Sequence, residues 1–351
     1  MLLPMNWVGL ISVLSVSLWV QLCAAADKRD ALSPFGVLSF LDWNHEWNDY
    51  QYDTPEKIER AAALMEQAGI GFVRQAISWD DVEPQQGQFD FSKYDAIFNT
   101  LEQHHIRTLG ILCYTARWTG REWNAPPDPE HFAAYVRAVV QRYKSRIKYW
   151  ELWNEPDQRL YWTQQDGMKG YVQLLKAVYP IIKEEDPTAV LVLGSVNTPF
   201  PLRDMYRQGA KDLFDVVNIH PFVTPLVPNA FGKLRGIYVS TRRVMEEFGD
   251  EAKPIWFTEL GCPGVADTKT APGWWEGPSP SEADQAAWVS AVYGEPLQWP
   301  GVQKVFWAFF QETNHFHNGI DYFGLLRRDY SQKPSYAAYR KAAKAWVPQP
   351  R

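Results

Sequence analysis

Two glutamates stand where this chain would deliver reactive groups. Glu155 follows the apolar run of "KYWELWNEPD" (148 to 157), and Glu259 closes that of "PIWFTEL" (254 to 260). An apolar run of strand length that breaks into a carboxylate reads as a buried strand carrying one acid to an exposed rim. Two such acids at one rim resist ionising together, so one is held protonated and can give up a proton while the other stays charged if a cation is close. Arg74, at the end of "GFVRQAI" (71 to 77), is the candidate cation. A proton donor facing a nucleophile or base is the equipment for breaking a glycosidic bond.

The acids need a frame that brings distant parts of the chain to one mouth. From Ser33 onward, short apolar runs alternate with longer segments of helical period, the pattern of repeated βα units and a parallel sheet. Eight runs read as strands: 35–41, 71–77, 107–114, 147–153, 189–195, 215–220, 254–260 and 304–310. Between them, "DTPEKIERAAALMEQAG" places Thr54 at a helix cap, Pro55 at the first helical position and Gly69 at the stop, and Asp128 with Pro129 repeat the device. The expectation is an α/β fold, a (β/α)8 TIM barrel over residues 27–351, with reactive groups at the C-terminal ends of its strands. The strand ends then hold Trp43, Arg74, Tyr114, Asn154 with Glu155, Asn197, His220, Glu259 and Trp307.

Several of these have two readings. Arg74 either steadies a reactive carboxylate or neutralises an internal one such as Glu151. His220, before Pro221, is either part of the site or a satisfied core histidine. Trp307 is either core or a flat face for a sugar ring. The chain has 17 tryptophans, and Trp43, Trp47, Trp118, Trp123, Trp162, Trp274 and Trp275 follow strands, where they would form a carbohydrate platform. The stretch 260–280 has no regular period and reads as a rim loop. His315 and His317 alternate as metal ligands can, but with no third ligand nearby they read as a solvated loop, and no metal or other cofactor is expected.

Composition bounds the partners. Net charge is −6 and no Lys/Arg stripe is present, so nucleic acid is excluded as a partner. The apolar run Trp7–Leu22, followed by Ala24, Ala25 and Ala26, reads as an export leader over residues 1–26, with the mature chain beginning at Asp27. Membrane association is expected only if that segment stays attached as an anchor. Loss of the leader removes Cys23 and leaves Cys113 and Cys262, too few for a disulfide framework and placed at the ends of opposite strands, so both are expected as free thiols.

"WELWNEPD" and "IWFTELG" at the ends of the fourth and seventh strands resemble the signatures of clan A glycoside hydrolases. "ISWDDVEPQQGQFDFSKYDAIF" (77 to 98) and "FGLLRRDYSQKPSYAAYRK" (323 to 341) are most similar to family 39, with family 5 next. The resemblance implies retaining hydrolysis of a β-linked poly- or oligosaccharide, with Glu155 as acid/base and Glu259 as nucleophile. It further implies that Asn154 donates to the sugar 2-hydroxyl and that Trp307 floors the subsite, with Arg74, His220, Tyr114 and Trp43 around the substrate. Many clan members carry a tyrosine after the sixth strand that supports the nucleophile. Phe222 stands in that position, so support must come from His220, from Arg74 or from nothing. An exo-β-xylosidase and a catalytically silent carbohydrate-binding barrel are the alternatives.

Overall fold

The computed structural model describes residues 33–274, 277–316 and 318–347. Its frame is one eight-stranded sheet: β1 (Phe35–Leu38), β2 (Phe72–Ser78), β3 (Arg107–Cys113), β4 (Tyr149–Leu152), β5 (Val190–Val192), β6 (Val217–Ile219), β7 (Ile255–Leu260) and β8 (Val302–Trp307). Every pairing between strands is parallel, in the order β5-β4-β3-β2-β1-β8-β7-β6. The bridges Val192 to Val216 and Val196 to Ile219 join the two ends. The sheet therefore closes on itself with helices between its strands, the (β/α)8 barrel expected from the alternation of apolar runs and helical segments.

The helix signals act as their chemistry requires. Thr54 Oγ1 accepts from the Lys57 N–H, Pro55 opens helix Pro55–Ala68, and Gly69 closes it at φ 80°, a left-handed value that costs glycine nothing. Asp128 caps Pro129–Tyr143 by accepting from the Glu130 and His131 N–H groups. The first 32 residues, where the export leader is expected, lie outside the described residues, as do Trp275 and His317.

The barrel interior is layered. Its lower part is apolar, with Phe72, Leu109, Val192, Val216, Trp256 and Phe306 packed together. The Lys304 ammonium lies 3.8 Å from the Phe72 ring centroid and donates to the Ser33 carbonyl. One step further along the strands the interior turns polar, with Arg74, Glu151, Asn218 and Thr258 all at or below 1% exposure. Strand side chains alternate faces, so Phe72 and Arg74 point the same way, as do Trp256 and Thr258. The polar layer sits directly beneath the mouth.

The exit of β4 is fixed by a side chain from outside the sheet. On helix Lys169–Glu185, the Tyr171 hydroxyl donates to the Leu152 carbonyl at 2.8 Å and accepts from the Gly194 N–H at 2.7 Å. Both backbone groups are buried, so removing the hydroxyl leaves two unsatisfied polar groups. We predict that Tyr171→Phe lowers stability by roughly 1–3 kcal/mol. In urea unfolding this would appear as a lower midpoint at unchanged slope.

Candidate active site

The backbone at the end of β4 is strained in a way that aims Glu155. Trp153 and Glu155 both adopt left-handed φ values, 67° and 43°. Such values are uncommon for non-glycine residues and persist only when the surroundings over-determine them. Trp153 is held accordingly: its backbone N–H bonds the Leu112 carbonyl, its indole N–H bonds the Tyr161 carbonyl, and its ring meets Tyr114 and Trp162 edge to face. After that turn the Glu155 side chain enters the mouth at 13% exposure. Glu259, also at 13%, enters from β7.

The two carboxylates and His220 converge. One oxygen of each glutamate and one nitrogen of His220 lie within 4.8 Å of one another. His220 Nδ1 is 2.7 Å from Glu155 Oε1 and 3.9 Å from Glu259 Oε2. Three atoms so arranged are a possible ligand set for a cation. Glu259 Oε1, however, is already engaged by Arg74, whose permanent charge opposes a second cation, and hydrogen bonding accounts for the cluster.

Arg74 satisfies both of its readings at once. Its Nε and Nη2 donate to the two Glu151 oxygens at 2.8 and 2.7 Å, a bidentate fork. Its Nη1 donates to Glu259 Oε1 at 2.5 Å, and Nη2 also donates to Asn154 Oδ1 at 2.8 Å. Arginine has no acceptor atom, so Asn154 must turn its oxygen toward Arg74 and keep its NH2 free to donate elsewhere. The support missing at Phe222 is thus supplied to Glu259 by Arg74, with His220 further off.

The electrostatics differ between the two acids. Burial pushes Glu155 up to about 7, with the Arg74 charge and an Asn197 hydrogen bond opposing it. Burial raises Glu259 as well, countered by His220 and Arg74, and the direct guanidinium hydrogen bond favours its charged form. His220 is fully buried, and burial holds it down at about 4, so at neutral pH its ring is uncharged.

The remaining sequence candidates fall in different places. A cavity of about 510 Å³ opens on Glu155 and Glu259 and is lined by Asn197, His220, Tyr161, Phe222, Phe323 and Trp274, among others. Trp307 is fully buried, with its indole N–H on the Phe323 carbonyl, and is not part of that lining. Tyr114 packs edge-on against Trp123 and Trp153. Trp43 is buried in a stack with Phe40, flanked by Trp47 and His315. Of the seven tryptophans expected to form a rim platform, Trp274 alone among the described residues lines the cavity. Trp47 and Trp123 are exposed elsewhere, and Trp162 is core. Trp43 and Trp162 are buried instead against neighbouring rings, Phe40 for the first and Trp153 and Tyr171 for the second, because such packing removes more apolar surface from water than a lone rim position would.

Sequence reasoning assigned no role to Asn218, Thr258 or Ser195, which lie behind His220. Their signal is a polar residue inside an otherwise apolar strand, as in "DVVNIH" and "IWFTEL". Cys113 and Cys262 are buried free thiols at the ends of β3 and β7.

Comparison with known proteins points in one direction. The glycoside hydrolase family 42 model, described as β-galactosidase, matches residues 46–133, a stretch that ends before either glutamate. A β-galactosidase, BgaB, of Geobacillus sp. (strain Y412MC61) is 29% identical over 148 residues, which is 34% of this chain and 22% of that protein. An endo-1,4-β-xylanase B of Thermotoga neapolitana is 23% identical over 293 residues, 76% of this chain and 78% of that one. A solved family 39 glycoside hydrolase from Bacteroides cellulosilyticus WH2 superposes with a TM-score of 0.70 at 24% identity, covering 90% of this chain and 64% of that chain. The chain thus spans about a fifth of the first of these curated relatives. The likenesses agree with the resemblance to clan A glycoside hydrolases carried by the strand-end motifs.

Breaking the Arg74 cluster should be costly. Replacing Arg74 by Met leaves Glu151, fully buried, without its counter-charge, and removing one partner of a buried pair costs about 3–5 kcal/mol. Arg74→Met is expected to lose that much in chemical unfolding. Arg74→Lys, with one ammonium in place of a fork that serves three side chains, should fall between it and the parent.

Proposed function

We propose that this protein is a retaining β-glycoside hydrolase that cleaves O-glycosidic bonds of a β-linked oligo- or polysaccharide by double displacement. The observation that carries the reading is the close approach of Glu155 and Glu259, within 4.8 Å, in unlike environments. Separations near 5–5.5 Å fit direct attack by one carboxylate, whereas ~6.5–9.5 Å leave room for an intervening water.

Glu259, charged beside Arg74, attacks the anomeric carbon. Glu155, carrying its proton near neutral pH, passes it to the departing oxygen, so bond breaking is not asked to expel a bare alkoxide. A glycosyl ester on Glu259 results. Glu155, now a carboxylate, removes a proton from water, which attacks the same carbon and releases Glu259 with net retention. Asn154 holds its NH2 toward the sugar because Arg74 occupies its oxygen.

An exo-acting β-xylosidase is the second reading, and one observation favours it: among the described residues, Trp274 is the one rim tryptophan that lines the cavity, where an endo-acting cleft would offer a row of stacking platforms. Digestion of xylan, β-glucan, mannan and aryl β-glycosides separates the two, since monosaccharide as the sole product from every active substrate contradicts endo action. A catalytically silent barrel predicts no turnover of any aryl β-glycoside. We further propose that residues 1–26 direct export, in which case the exported protein has the mass of a chain beginning near Asp27.

The first product, observed by NMR before mutarotation, is expected to keep the anomeric configuration of the substrate; inversion would make Glu259 a base for water. Glu259→Ala should abolish turnover of every substrate. Glu155→Ala should retain far more glycosylation on a dinitrophenyl glycoside than on one with a sugar leaving group. A burst of phenolate should be followed by slow turnover that azide accelerates. Equal losses on both leaving groups, without burst or azide effect, would remove Glu155 from the acid role.

A further inference from the structure

We infer that Thr258 and Asn218 are positioning residues that lock His220 in its Nε2–H tautomer, and that this lock keeps Glu155 in its proton-donating form. The inference rests on the glycosidase reading for its kinetic consequences, while the tautomer itself is a property of the resting protein.

Counting protons along one buried chain of hydrogen bonds gives the result. Arg74 Nη2 and Asn218 Nδ2 both face Glu151 Oε1, at 2.7 and 3.1 Å. A carboxylate paired with a guanidinium only accepts, so Asn218 must point its NH2 at Glu151 and its Oδ1 the other way. That oxygen lies 2.9 Å from Thr258 Oγ1 and 3.3 Å from the Thr258 backbone N–H. Since Asn218 Oδ1 has no proton to give, the Thr258 hydroxyl proton is committed to it. Thr258 Oγ1 therefore has only lone pairs left for His220 Nε2, 3.0 Å away. The hydrogen bond exists only if Nε2 carries a proton. In a neutral imidazole the other nitrogen, Nδ1, is then a bare acceptor.

Nδ1 faces Glu155 Oε1 at 2.7 Å and Ser195 Oγ at 3.0 Å. Two lone pairs do not approach to 2.7 Å without a proton between them, so the carboxyl supplies it. Once Glu155 has given its proton to a leaving group, its carboxylate lies against a lone pair. The Ser195 hydroxyl can then turn its proton to Nδ1, and Glu155 recovers one from water, the base step that completes turnover. The chain of hydrogen bonds starts at Arg74, which donates directly to Glu259 and is linked to Glu155 through Glu151, Asn218, Thr258 and His220. One network thus presents a donor to one glutamate and an acceptor to the other.

Other ionisable groups face this site from every side: Arg74 from β2, Glu151 from β4, Asp157 and Tyr161 from the segment after it, and Glu259 from β7. None of them touches Thr258 by hydrogen bond, whose side-chain partners are Asn218 and His220. A change at Thr258 therefore acts through the tautomer.

Thr258→Val keeps the shape and removes the acceptor. The ring is then free to carry its proton on Nδ1, which would donate to the Glu155 carboxylate and stabilise its charged form. The pH limb set by Glu155 losing its proton should move down by about one unit or more. At pH 7 kcat/KM should fall about tenfold or more for a glycoside with a poor leaving group, and by less than about twofold for the dinitrophenyl glycoside. Thr258→Ser, which restores the hydroxyl, should return both the limb and the ratio. An unmoved limb in a folded Thr258→Val, or equal losses on the two substrates, overturns the proposal. Because that variant can fail to fold and the activity can prove absent, the direct reading is 15N NMR of histidine-labelled wild-type protein, with His220 assigned by its loss in His220→Asn. A neutral ring protonated at Nε2 between pH 6 and 8 is expected. A ring protonated at Nδ1, or a charged ring, overturns the tautomer lock whatever the protein hydrolyses.

Discussion

A guanidinium buried inside a barrel is the constraint from which the rest of this structure follows. Arg74 is at 1% exposure and always charged, so its surroundings must offer negative charge and acceptors in a planar arrangement. Glu151 supplies a fork on one side, and Glu259 and Asn154 take the remaining donors. Asn218 in turn satisfies the second demand on a Glu151 oxygen, and Thr258 and His220 follow from Asn218. A polar layer of this kind is stable only when every member is satisfied, which leaves few alternative arrangements for the side chains above it. The two glutamates at the mouth are therefore the upper ends of a network anchored at mid-barrel.

The same constraint explains how the site works with phenylalanine at position 222. A tyrosine hydroxyl there would give Glu259 a neutral donor. Arg74 Nη1 gives it a charged one at 2.5 Å, which favours the carboxylate more strongly than a phenol would. Phe222 instead contributes to the apolar side of the cavity, together with Phe323 and Trp274. Polar groups thus gather on the β4, β5, β6 and β7 side, where Glu155, Asn197, His220 and Glu259 lie.

Much of this was legible from residue order, for physical reasons that differ by element. All eight strands lie where apolar runs stand, because strands covered on both faces have no polar side to blur them. Helix Pro55–Ala68 was legible to the residue because Thr54, Pro55 and Gly69 each do a job that few residues can. Glu155 and Glu259 stood out because a carboxylate closing an apolar strand has little structural reason to be there. The tryptophans misled. Trp43 and Trp162 follow strands as rim residues do, yet the loops fold them inward, Trp43 against Phe40 and Phe316 and Trp162 against Trp153 and Tyr171, and the course of a loop has no periodic signal in the sequence. Asn218 and Thr258 were present as polar interruptions of apolar strands, but their importance lies in which atom each turns toward its neighbour, and this follows only from three-dimensional adjacency to Glu151.

As proposed, one network holds two neighbouring glutamates in opposite protonation states. Carboxyl-carbon NMR of protein labelled with 13C at glutamate Cδ reads those states directly across pH 5 to 9, with Glu155→Gln and Glu259→Gln as assignments. One signal titrating near pH 7 that disappears in Glu155→Gln, and a Glu259 signal that stays in the carboxylate range throughout the neutral region, are the expected result. A near-neutral titration that survives in Glu155→Gln and vanishes in Glu259→Gln would contradict the account.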